Sequence, residues 1–146
     1  MSDMYVVDFC LDLTAAVPIP VLTDLQWHLG VRADAAEYGE SGVAGAYPLL
    51  AGRGPAARVG GVQVGELART PRGWSLTARQ EVHAESLPDL DALAERLARH
   101  SRTEGTIGSL RFYEDDVPVL LVNRSGLLVK TPLTVVEPAP TAELAR

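Results

Sequence analysis

Apolar and polar side chains alternate near the start of the chain. Tyr5, Val7, Phe9, Leu11 and Leu13 fall on one side of an extended segment, with Asp8, Cys10 and Asp12 on the other. A period of two marks a strand with one covered face. Past Pro18-Ile19-Pro20 the period changes: Val21, Leu22, Leu25 and Leu29 recur at helical spacing until Gly30, which predicts a helix over residues 20–29. The same two-part unit returns later. Trp74, Leu76, Ala78, Val82 and Ala84 share one face of a predicted strand, opposite Thr77, Arg79, Glu81 and His83. A second helix is predicted over residues 88–100, with Leu90, Leu93, Ala94 and Leu97 along one side. Ser86 is expected to cap it, Pro88 suits an early helical position, and Asp89 complements the helix dipole. Glu95 and Arg99 sit four apart on its exposed side, at the spacing of a surface ion pair.

Thr70-Pro71-Arg72-Gly73 has the residues of a chain reversal, so residues 59–69 and 74–85 are predicted to form a hairpin. Strands are expected at 106–113 and 117–123, and one more at 126–131. The fold class this predicts is α+β. It is a ferredoxin-like βαββαβ sandwich with an additional C-terminal β-hairpin, its antiparallel sheet carrying two helices on one face. Residues 117–122 lack alternation, which predicts cover on both faces, from a partner subunit or from a long loop. Residues 1–131 read as one α+β domain and 132–146 as a loose tail. Within the domain, residues 31–58 form a Gly/Ala-rich stretch with little periodicity, read as a flexible loop or a lid that brings Tyr38 or Tyr47 over the sheet.

Composition narrows the classes. A chain of 146 residues at 47% hydrophobic content can bury one core. No apolar run approaches the roughly 20 residues of a membrane helix, and the N-terminus lacks a basic-then-apolar leader, so a cytoplasmic protein with no membrane partner is expected. The net charge is −6 and the basic residues, nearly all arginine, are dispersed, which argues against nucleic acid as a partner. The bias to Arg over Lys, with abundant Ala, Gly and Val, fits a GC-rich bacterial genome. A lone cysteine rules out an intrachain disulfide and a cysteine-built zinc site. Cys10 is expected to be a buried or half-buried inert thiol. Phosphate-cradling glycine motifs are absent.

One constellation could carry chemistry. With both helices on one side of the sheet, Asp8, Cys10, Asp12, Arg79, Glu81, His83, Ser109, Arg111 and Tyr113 point to the other. The candidate catalytic residues are His83, Arg79 and Glu81, with His83 as proton shuttle, Arg79 or Arg111 gripping an anion and a carboxylate orienting the imidazole; Asp8, Asp12, Arg111 and Tyr113 are candidate ligand contacts. The plainer account is a solvated sheet face with cross-strand ion pairs, or a face packed in a dimer. It outweighs the first, because every half-exposed antiparallel sheet alternates in this way. A cation held by Asp8, Asp12, Glu81 and His83, and a Cys10–His83 nucleophile pair, both depend on strand register, and neither is favoured. His28 is expected to pack half-exposed, and His100 to be favoured as a cation at its helix end. Trp27 and Trp74 read as core or interface residues rather than ligand platforms.

The functional expectation is a non-catalytic module that binds a small organic ligand or assembles with a partner protein, works without a cofactor or metal, and forms a homodimer. The alternative is a cofactor-independent small-molecule enzyme (oxygenase, isomerase or cyclase) of the dimeric α/β-barrel type, with His83 as general acid or base.

Overall fold

A computed structural model describes residues 3–31 and 47–133. The strands are β1 (Met4–Thr14), β2 (Gly54–Pro55), β3 (Val62–Thr70), β4 (Gly73–His83), β5 (Gly105–Phe112), β6 (Val119–Arg124) and β7 (Leu127–Pro132). The helices are α1 (Ile19–His28) and α2 (Leu87–Arg99). All strands pair antiparallel in one sheet of order β2-β3-β4-β1-β5-β6-β7. The described residues are therefore α+β, with a seven-stranded antiparallel sheet and two helices. The short β2 lies inside the stretch read as a loop.

β1 is the axis of the sheet. Its apolar alternation holds along the whole strand: Val7, Phe9, Leu11 and Leu13 are buried in one cluster with Leu25 of α1, Leu29 at its C-terminal cap, and Leu90, Leu93, Ala94, Leu97 and Ala98 from α2. Both helices thus cover the same face. It pairs with β4 from Met4↔His83 to Thr14↔Gly73, and with β5 from Tyr5↔Phe112 to Phe9↔Gly108. A Cβ at Gly108 would collide with the Asp8 carbonyl, so glycine is what lets β5 come alongside.

Local chemistry sets the helix ends. α1 closes with the amide of Gly30 donating to the Trp27 carbonyl and that of Val31 to the Gln26 carbonyl, while Gly30 adopts φ 81°. This is the Schellman arrangement expected of a glycine just past a helix. α2 starts differently from the expectation. Ser86 makes no side-chain cap, because a 3₁₀ turn over Ala84–Ser86 already places it in helical conformation; His83 Nδ1 accepts from the Glu85 amide instead, at 3.3 Å.

The helices are joined by Arg96 and Asp24, 3.1 Å apart, with side chains only 13% and 2% exposed. His28, expected half-exposed, is fully buried, because residues 47–50 fold over it: its Nδ1 accepts from the Leu49 amide at 3.1 Å. His100 also departs from the expectation. Burial, then the charges of Arg99 and Arg96, lower its pKa from the usual imidazole value and oppose the cation. Cover of β6 is also less complete than its sequence suggests. Leu121 joins the core and Val122 is 9% exposed, whereas Val119 and Leu120 stay half-buried. Among the described residues no helix is long and apolar enough to cross a membrane.

Candidate functional site

Register decides which polar residues meet on the helix-free face. Arg79, Asp8 and Ser109 form one row across β4, β1 and β5, and Glu81, Val6 and Arg111 form the next. Asp12 lies opposite Ser75 and His83 opposite Met4. Eight positions at ~3.3 Å each place these two roughly 26 Å apart along the sheet. The four ligands weighed for a cation therefore do not converge. Cys10 lies opposite Thr77, six positions from His83, so no nucleophile pair forms between them. The thiol is also exposed rather than buried, because this part of the helix-free face carries no cover.

Most of the remaining candidates hold backbone. The loop from Ala56 to Gly61 turns back on itself, the Ala56 amide donating to the Gly61 carbonyl at 2.9 Å. Glu81 grips this loop: Oε2 accepts from the amides of Arg58 (2.6 Å) and Val59 (3.1 Å), and Oε1 from that of Ala57 (3.3 Å). Arg79 pairs with Asp8 at 3.2 Å and donates to the Gly60 carbonyl at 3.1 Å. A carboxylate on three amides, beside a guanidinium shared between a carboxylate and a carbonyl, forms a clamp on a loop. Under it Val6 and Val59 are buried.

Arg111 acts similarly at the next turn, donating to the carbonyls of Asp115 (2.8 Å), Phe112 (3.4 Å) and Tyr113 (3.4 Å). The Tyr113 ring lies 5.9 Å from the Arg58 guanidinium. Its phenol pKa is raised, first by a hydrogen bond with Glu114. Asp12 contributes backbone: its amide donates to Thr103 Oγ1 at 2.9 Å and its carbonyl accepts from the Arg102 amide at 2.7 Å.

His83 and Glu81 share a cavity. The Nδ1 of His83 accepts from Glu85, so the neutral ring carries its proton on Nε2. About 180 Å³ of space is lined there by Tyr47, Gln63, Gln80, Glu81 and His83, among others. Tyr47 of the expected lid thus reaches this cavity, while Tyr38 lies outside the described residues.

Three side chains that sequence reasoning passed over build the wall of this cavity and its surroundings. Gln80, 2% exposed on the core face of β4, accepts from the Gly52 amide at 2.8 Å and donates to the carbonyls of Gly52 (3.1 Å) and Val64 (2.8 Å). Gln63 Oε1 accepts from the Glu81 amide at 3.1 Å. Arg53 donates to the carbonyls of Leu29, Leu50, Gly52 and Gly65. The signal for Gln80 was present: it is the polar member of the apolar row Leu76, Ala78, Val82.

A second, larger space lies on the helix-bearing side, at the outer end of β1 and β5. It is a groove of about 410 Å³ lined by Asp3, Tyr5, Leu110, Phe112, Asp115, Val117 and Val119. Tyr5 and Phe112 are paired across the strands, with ring centroids 5.2 Å apart. Comparison with family models, curated proteins and solved structures finds no match. The functional reading therefore rests on these two spaces and on what the side chains around them are already doing.

Proposed function

We propose that this protein is a non-catalytic module that binds a small organic molecule, with the groove at Tyr5 and Phe112 as its site. The observation that carries the reading is a contrast in engagement. Glu81, Arg79, Asp8 and Arg111, the groups suited to acid, base or anion chemistry, are tied to backbone or to each other. The groove is lined by the apolar and aromatic side chains of Tyr5, Leu110, Phe112, Val117 and Val119, with the carboxylates of Asp3 and Asp115 beside them. Its size falls within the roughly 300–1,000 Å³ of small-molecule sites, and its lining is of the usual kind. On this reading Asp8, Arg79, Glu81 and Arg111 are positioning residues for loops, and binding involves no bond making.

The same reading takes the centre of the sheet as a ferredoxin-like core. It is supported by the way each helix joins strands that flank a third, β1 and β3 around β4, then β4 and β5 around β1. A homodimer formed through the helix-free face belongs to it too, supported by exposed Val62 and Val64 at one flank of that face and Leu127 and Val129 at the other. The exposed free thiol of Cys10 fits a reducing, cytoplasmic setting.

A cofactor-independent enzyme is the second reading, favoured by the cavity beside His83. One experiment separates the two. Amide shifts of the isotope-labelled protein, recorded while small aromatic and aliphatic fragments are titrated in, are expected to move at Tyr5, Leu110, Phe112 and Val119. Shifts confined to Tyr47, Gln63 and His83 would overturn the proposal in favour of the enzyme, and no response at the groove would overturn it outright.

A further inference from the structure

We infer that the groove selects an organic cation: an amine or quaternary ammonium group on a small aromatic or alkyl body. This deepens the proposed function and rests on reading the groove as a ligand site. The body of the ligand is specified by the floor, where Tyr5, Leu110, Phe112, Val117 and Val119 offer apolar and aromatic surface. The head is specified by charge. Asp3 and Asp115 are the charged residues of the lining, and both are acidic. Asp3, Glu114 and Asp115 leave this end of the molecule electronegative, in keeping with the raised phenol pKa of neighbouring Tyr113, to which Glu114 and Asp3 contribute.

The nearby arginines offset part of that charge but neither lines the groove, Arg111 standing opposite Val6 on the helix-free face. Arg111 donates to the carbonyls of residues 112, 113 and 115, and Arg58 lies over the Tyr113 ring. An anion entering the groove would meet two like charges; a neutral molecule would gain only the apolar contact. A cation gains that contact together with the attraction of both carboxylates, and Tyr5 and Phe112 are ring systems of the kind that attract ammonium groups.

The test uses three probes of one shape against the full chain, 2-phenylethylammonium, 2-phenylethanol and phenylacetate, with affinities read from amide shifts at Phe112 and Val119. The cation is expected to bind about tenfold more tightly than the alcohol at low ionic strength, and phenylacetate most weakly. The cation's advantage should shrink as salt screens it. Asp3→Asn together with Asp115→Asn should bring the cation down to the affinity of the alcohol. Both positions are exposed, and the loop bonds of Asp115 run through its backbone, so the variant keeps the fold. Equal affinities for cation and alcohol in the unsubstituted protein, or tighter binding of phenylacetate, would overturn the cation inference while leaving a ligand groove in place. Failure of all three probes to shift the groove would remove both.

Discussion

Asp24 and Arg96 show how much rests on single contacts. A carboxylate 2% exposed on α1 and a guanidinium 13% exposed on α2 meet at 3.1 Å, where neither is well hydrated. Removing one member of such a pair leaves the other buried with less compensation, at a cost of roughly 3 kcal/mol. Asp24→Ala is therefore expected to move the urea midpoint down markedly, and an unchanged midpoint would show that the pair contributes nothing to stability. The sequence does not show this contact, because Asp24 reads as one polar residue within a helical stripe and nothing in the chain says that α2 will lie beside it. Gln80 was more legible. A carboxamide in the row Leu76, Ala78, Val82 announces a buried polar group that needs partners, and the structure supplies them at Gly52 and Val64.

At the scale of elements, strands and helices follow the sequence pattern closely, because period two and period 3.6 are imposed by one buried face. The stretch read as a 31–58 loop does not, within its described part. Residues 47–58 have no period, yet they are held by His28, Gln80, Arg53 and Glu81, contacts that leave no rhythm in the chain. Glu81 carries the loop end of this arrangement. Hydrogen bonds to a charged acceptor contribute about 1.5–3 kcal/mol each, so Glu81→Ala is expected to speed exchange of the Arg58 and Val59 amides by about tenfold or more. Exchange in the core of β1 should stay as it was. Unchanged protection at Arg58 and Val59 would mean that the loop is held by something other than the carboxylate.

Over the whole molecule, the candidate site was legible as a face and not as a neighbourhood. Alternation assigned Asp8, Asp12, Arg79, Glu81 and His83 to one side of the sheet. Only register separates Asp12 and His83 to opposite ends while bringing Arg79 and Asp8 together, and a slip of two residues leaves every side chain on its face. That face also bears the proposed dimer contact. Sedimentation velocity is expected to give about twice 15.6 kDa, and Val64→Glu with Val129→Glu to return the protein to a single chain. A monomer at every accessible concentration would remove the homodimer from the proposal. The last rung of the sheet beyond Val64 is made by glutamine side chains: Gln63 meets the Glu81 amide, and Gln80 meets both polar groups of Gly52. A carboxamide is chemically a peptide group on a tether, so here two residues stand in for a length of strand. Inheritance would then weigh unevenly on the chain: two codons keep the seam closed.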